Sequence, residues 1–242
     1  MKLKKSKVLV LVEGAKTDVA LMQHLFAVYG IGETHTIVSY NTDIYTLYDS
    51  LFFEDDPDAV DLLQALKARE KDEKIKKIFD DKYSDILLIF DFDPHATTFS
   101  DQKIRKMIAY FTESSDMGKL YLNYPMVESF YHMKSIPDPG YDDSYATLDE
   151  LKYRAYKTRV NRECFTGDYR KFAAAKEECS IVIRQNISKA MTLLGDLKSR
   201  LIPPKSLNIL DFQLEQLHSQ QKVYILSTCC FYIYDYNPLF LE

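Results

Sequence analysis

Two runs of apolar residues, each halted by carboxylates, set the terms for any fold this chain can adopt. The first is Val8-Leu9-Val10-Leu11-Val12, followed by Glu13-Gly14 and then Ala15-Lys16-Thr17-Asp18. The second is Ile86-Leu87-Leu88-Ile89-Phe90, followed by Asp91-Phe92-Asp93. Apolar residues in succession, without polar alternation, read as strands buried on both faces, the habit of a parallel sheet covered by helices. In such an open sheet, ligands gather beyond the carboxyl ends of the strands. Glu13, Asp91 and Asp93 would then meet at one edge. Strand alternation places Asp91 and Asp93 on one side, and two such charges crowd each other unless a cation lies between them. Several carboxylates at short range suit a hard, oxygen-seeking cation. The plainer readings are a helix-end acid for Glu13 and a solvated strand end for Asp91 and Asp93.

The rest of the chain supplies the partners such strands need. The pattern predicts a helix over about 17–29, capped by Thr17 or Asp18 and ended by Gly30 and Gly32. A short strand follows over 36–40, then a mostly helical stretch over 41–83. That stretch holds an acidic patch over 54–61 and a charged helix over about 61–79. Past the strand ending at Phe90, Ser100 caps a helix with Ile104, Met107, Ile108 and Phe111 at helical spacing. A fourth strand spans about 119–122. Strands alternating with helices imply a mostly parallel α/β sheet flanked by helices, with right-handed crossovers. A turn-rich break at 137–143 divides this core, residues 1–136, from a helical addition over 137–242. The addition is interrupted at Pro203-Pro204 and ends in an apolar, tyrosine-rich segment over 223–236. That segment reads equally as a strand or a buried helix, and it could pack back on the core.

Charge and cysteine usage narrow the class. The chain has 242 residues and a net charge of −5, which argues against a wholly basic nucleic-acid coat. The charge is uneven. Residues 152–176 carry eight cations against two acids, a local +6 that leaves −11 for the remainder. Arg154, Lys157, Arg159, Arg162, Arg170 and Lys171 interleave there with Tyr153, Tyr156, Phe165 and Tyr169. Cations meet phosphates and aromatic faces stack on unpaired bases, so the segment is a candidate nucleic-acid surface; an amphipathic helix with its aromatics packed inward is the plain alternative. The four cysteines lack zinc or disulfide spacing, and no segment has the length of a membrane span. A cytoplasmic protein without a membrane partner is expected.

Further acids and bases surround the predicted edge. Glu128 follows the fourth strand among aromatic residues, where an isolated charge is costly; its alternative is a pairing with a nearby Lys or Arg. Asp18 is an outer-shell candidate or a helix-end acid. Lys16 could touch a phosphate or simply be solvated. His95 and His132 flank the site, each more readily a hydrogen-bond partner than a ligand.

The ordered set of Val12-Glu13-Gly14 after a strand, Asp18 in the following helix, and Asp91-x-Asp93 at a later strand end resembles the Toprim domain of topoisomerases, primases and OLD-type nucleases. The phrase Asn123-Tyr124-Pro125-Met126-Val127-Glu128-Ser129-Phe130 resembles the Asn-Pro-x-x-Glu segment of RloB-like Toprim proteins of phage-defence systems. It departs from that segment by inserting Tyr124 between Asn and Pro. The resemblance covers roughly residues 6–133. It implies phosphodiester chemistry dependent on Mg2+ or Mn2+, with Asp91 and Asp93 as the metal pair. Glu13 would be general acid/base or a further ligand, and Glu128 would complete a second site.

The expectation is therefore a metal-dependent nuclease cutting DNA or RNA, tRNA among them, in antiviral defence. A separate ATPase subunit is an open partner, since the chain has no Walker motif, and a homodimer is an open arrangement. Two rivals stand beside it. One is a non-catalytic Toprim-like protein that binds nucleic acid or an ATPase partner. The other is a small-molecule phosphotransferase or phosphatase built on the Asp-x-Asp pair.

Overall fold

The computed structural model describes residues 7–52, 61–166, 171–196 and 200–242. Strand β1 (Val8–Val12) has all five side chains buried. Each contributes about 1.5–3 kcal/mol by leaving water, which suits an interior strand covered on both faces. It pairs in parallel with β2 (His35–Ser39) on one side and β3 (Asp85–Asp91) on the other. An aspartate at Val10 would bury an unpaired charge there and break the sheet.

Helix α1 (Thr17–Tyr29) joins β1 to β2 and buries Leu21, Met22, Leu25, Phe26 and Tyr29. It stops at Gly30, whose φ of 69° suits glycine; the amides of Gly30 and Ile31 return to Ala27 O and Phe26 O. At its start no side chain caps the helix, contrary to the expectation for Thr17 or Asp18. Helices α2 (Ile44–Leu51), α3 (Leu62–Arg69) and α4 (Glu73–Phe79) lead from β2 to β3. Each opens on an aspartate, Asp43, Asp61 or Asp72, whose carboxylate accepts a first-turn amide. The single charged helix expected over 61–79 is two helices. The Glu70 carboxylate takes the amides of Lys71 and Asp72, and Asp72 opens a fresh cap. Most of the acidic patch over 54–61 lies outside the described residues.

Helix α5 (Asp101–Tyr110) begins at the expected Ser100 cap and buries Ile104, Met107 and Ile108. Two-residue β4 (Thr112–Glu113) turns back antiparallel on β5 (Gly118–Tyr124), and β5 pairs in parallel with β3. The sheet order is β2-β1-β3-β5-β4. The fold is mixed α/β, with a mostly parallel central sheet flanked by helices. The chain leaves β1 on one side to form β2 and returns on the other to form β3. Their carboxyl ends thus frame a topological switch point, where such sheets bind ligands.

A 3-10 turn (Val127–Tyr131) follows β5. Then come β6 (Tyr145–Thr147), α6 (Leu148–Lys152), α7 (Ala155–Glu163), α8 (Lys176–Leu193) and α9 (Ser206–Gln220). The chain closes with β7 (Lys222–Tyr224), β8 (Leu226–Ser227) and α10 (Phe231–Tyr236). The 223–236 segment is thus strand and then helix. Antiparallel pairing of β6 with β7 interrupts the helical stretch, and β8 joins β5 through Asn123↔Ser227. Tyr29 Oη lies 2.8 Å from Ser180 Oγ, tying α8 to α1. One apolar core runs from Val8 to Leu241.

Lys189 is fully buried in α8 and donates to Tyr141 O (2.6 Å), Ser144 O (2.9 Å) and Ser144 Oγ (2.8 Å). Burial lowers its pKa to about 7, while three oxygen acceptors match the three N–H groups of an ammonium. No helix among the described residues is long and apolar enough to cross a membrane.

Candidate functional site

Glu13 stands one residue beyond β1. Its amide donates to Ile89 O (3.0 Å), and its Oε2 accepts the amide of Asp91 (3.1 Å). Asp91 is the last residue of β3 and pairs in register with Asn123 of β5. Asp93 departs from the sequence expectation. The strand has ended by then, and Asp93 takes a left-handed φ of 42°, so simple alternation does not set its direction relative to Asp91. Its amide donates to Pro125 O (3.1 Å). His95 Nδ1 lies 3.0 Å from Asp93 Oδ1, close enough to pair but not aligned as a hydrogen bond.

Asp18 occupies the first turn of α1 and is buried. The backbone amides of Gly14 and of Asp18 itself act on its carboxylate to favour the charged form. A Cβ on Gly14 would stand 2.5 Å from Asp18 Oδ2, so this glycine makes room for the acid. Glu128, in the 3-10 turn, has its Oε1 3.0 Å from Lys157 Nζ of α7. The alternative weighed for Glu128, pairing with a lysine, is therefore realised. Glu128 nonetheless also acts electrostatically on Asp18 and Asp91.

The acids sit close enough to resist joint ionisation. Burial pushes the Glu13 pKa up to about 8, with Asp93, Asp18 and Asp43 adding to the rise and the Asp91 amide opposing it. Burial raises Asp18 to about 6 against the pull of the Gly14 amide, and Glu128 adds to the rise. Asp91 goes well above the carboxylate range, first by burial and then by the fields of Glu13, Asp18, Glu128 and Asp93. Burial works against the charge on Lys157, yet Glu128, Asp91 and Asp18 outweigh it and lift its pKa.

Hydrogen bonding singles out the same place. Buried polar atoms nearly always find partners. Among the described residues, six side-chain atoms do not: Asp18 Oδ1, Asp91 Oδ1, Glu128 Oε2, His95 Nδ1, Asn123 Nδ2 and Ser129 Oγ. All belong to this edge of the sheet or to its immediate neighbours in sequence. Three are carboxylate oxygens, the donor type that Mg2+ and Mn2+ take. The donor chemistry therefore fits a hard divalent ion. The present rotamers are not a finished cage: among the described residues no group of three or more His, Cys, Asp or Glu is gathered around one metal position. Instead Glu13 faces the Asp91 amide, Asp18 the Gly14 amide, and Glu128 the lysine.

The remaining candidates spread out. Lys16 is exposed ahead of α1. His132 is buried against Tyr156 Oη (3.3 Å) and Glu163 Oε2 (3.2 Å). Of the basic segment, Arg154 and Lys171 are exposed and Lys157 is held by Glu128. Arg162 pairs with Glu163 (3.1 Å), while Arg159 is spent on Glu150, Glu163 and Tyr145 O. Arg170 and Tyr169 lie outside the described residues. Asn123, Ser129 and Asp43 were not nominated from sequence. Asn123 opens the quoted phrase just past the strand expected over 119–122, whereas the structure carries β5 through it to Tyr124. Asp43 reads only as a helix cap, and its field on Glu13 depends on the long crossover from β2 to β3.

The chain matches no family model, no curated protein and no solved structure.

Proposed function

We propose that this chain is a divalent-cation-dependent nuclease acting on DNA or RNA. The observation that carries the reading is the set of buried, unpartnered oxygens on Asp18, Asp91 and Glu128, crowded with Glu13 and Asp93 at the switch point. Such a crowd is costly in the absence of a cation. Mg2+ or Mn2+ would be held by Glu13, Asp91 and Asp93, with Asp18 and Glu128 as further oxygen donors. The ion would supply Lewis-acid stabilisation of charge on the reacting phosphate. Where Glu13 is not a ligand of the ion, its carboxylate is the group that would exchange a proton with the attacking water. Lys157 at the rim, with Arg162 on the same helix and Arg154 just ahead of it, would hold backbone phosphates beside the acids. A role in antiviral defence rests on the Toprim resemblance alone.

The direct test is cleavage of labelled DNA and total tRNA in magnesium, manganese or EDTA, by wild type, Glu13→Gln and Asp91→Asn. Cleavage that needs the metal and is lost in both variants supports the reading. Metal-independent cleavage, or variants as active as wild type, would overturn it. One observation favours the non-catalytic alternative: Lys157 already neutralises Glu128, and the carboxylates face protein partners. Metal-free nucleic-acid binding without cleavage in any metal would select it. The phosphatase alternative needs an ionised aspartate nucleophile, and burial works against that at Asp91.

A further inference from the structure

Helix α7 presents two faces. Tyr156 and Val160, four apart, turn inward, while Arg154, Lys157, Thr158, Asn161 and Arg162 are exposed. Its ends carry two aromatic rings that the core does not take. Tyr153 is 81% exposed and Phe165 is 55% exposed. Neither ring stacks on another ring or lies beneath a cation among the described residues, although the chain has many such contacts elsewhere. Their backbones are fixed: the Tyr153 amide donates to Asp149 O (3.2 Å), and the Phe165 amide to Met133 O (2.9 Å). The backbone beneath each ring is thus tied to the fold, which lowers the cost of ordering it around a ligand.

The exposed face also has a fixed place relative to the acids, because Lys157 reaches Glu128 at 3.0 Å. A ligand lying along α7 would pass the rim of the carboxylate site. Exposed rings flanking a run of cations match one chemistry in particular. Cations track a phosphate backbone, and aromatic faces stack on bases that are not already stacked in a duplex. A duplex offers its bases no free faces and would engage the cations alone.

We infer that α7 is a binding track for an unpaired nucleic-acid strand, with bases stacked on Tyr153 and Phe165 at its two ends and the backbone running past Lys157 to the acidic site. The nine residues of α7 rise about 14 Å, roughly four stacked nucleotides at 3.4 Å each. The track rests on the nuclease reading for the sense of its direction but names a more specific substrate: a single strand or loop.

The test uses full-length protein in EDTA, so that cleavage does not enter. Fluorescence anisotropy would compare a labelled single-stranded oligonucleotide with the same sequence as a duplex, for wild type, Tyr153→Ala, Phe165→Ala and Tyr153→Trp. A 5-iodouracil oligonucleotide, photo-crosslinked and mapped by mass spectrometry, would report ring contact directly. The expected result is tighter binding of the single strand by wild type. Each alanine variant should weaken it by roughly five- to 150-fold, the worth of one stacked base, with duplex binding unchanged. Tyr153→Trp should retain single-strand affinity, and crosslinks should map to Tyr153 or Phe165. Equal or tighter duplex binding, or alanine variants that bind the single strand as wild type does, would overturn the track while leaving the nuclease reading standing. Binding of neither form in EDTA would likewise overturn the track, and the nuclease reading would still be decided by the cleavage assay in metal. A change of oligomeric state in Tyr153→Ala, without change in nucleic-acid affinity, would reassign the rings to an interface between copies.

Discussion

Glu13→Gln should stabilise the metal-free protein at neutral pH, the reverse of the usual result of altering a half-buried, hydrogen-bonded side chain. The Glu13 pKa rises from 4.5 to about 8 on folding. Its favourable contribution is therefore complete below about pH 4.5 and is lost as the pH climbs to about 8. At pH 7 the unfolded chain is ionised at this residue and the folded chain is mostly not. Folding must then take up a proton across about 2.5 pH units, a cost of about 3 kcal/mol at 1.36 kcal/mol per unit. Glutamine does not ionise, and its oxygen can still accept the Asp91 amide now bonded to Glu13 Oε2 at 3.1 Å. For a chain of this length about 3 kcal/mol corresponds to roughly 6–12 °C in Tm. Thermal melts of both proteins in EDTA from pH 4.5 to 8 provide the assay. The two should melt alike at the acid end and diverge towards neutral pH, with the variant higher. Parallel profiles, or a variant that melts lower at pH 7, would refute the claim that the acids are crowded and desolvated.

Three further outcomes follow from the same geometry. Magnesium at about 100 times its Kd should stabilise wild type by about 2.7 kcal/mol, seen as a rise in Tm; Asp91→Asn with Asp93→Asn should abolish that rise, and an undiminished rise would move the cation elsewhere. Gly14→Ala would set a Cβ 2.5 Å from Asp18 Oδ2. It should lower stability by roughly 1–3 kcal/mol and blunt the magnesium response, whereas wild-type melting and metal affinity would show that Asp18 has room to spare. Lys189→Met strips donors from Tyr141 O and Ser144 O and should cost about 2 kcal/mol in urea unfolding; unchanged stability would show that the buried ammonium is no net support.

Much of the core could be read from residue order because its signals are local. Val8–Val12 and Ile86–Phe90 declare buried strands by composition, and Ser100 declares a helix start by its side-chain oxygen. The break between α3 and α4 was hidden because Glu70 and Asp72 look like ordinary surface acids until their backbone bonds are seen. Pairing of β6 with β7 joins Tyr145 to Tyr224 across about eighty residues, and three-residue strands carry no usable periodicity. At the site, Glu13 and Asp91 are placed by the strands that carry them. The direction of Asp93 depends on a left-handed turn, which the sequence signals only weakly at an aspartate. The engagement of Lys157 with Glu128 is a long-range contact between α7 and the turn after β5. Its place in a cationic run gave no hint that this one lysine would face the acids while Arg159 would be consumed by Glu150 and Glu163.

The central claim, that the carboxylates at the ends of β1 and β3 gather a hard divalent ion, is tested most directly by anomalous diffraction from crystals soaked in manganese. The account predicts an anomalous peak within about 2–2.6 Å of an Asp91 carboxylate oxygen, with Glu13 or Asp93 as a further donor and rotated towards it. No peak at this edge, with Glu13 still accepting the Asp91 amide and Lys157 still on Glu128, would contradict it.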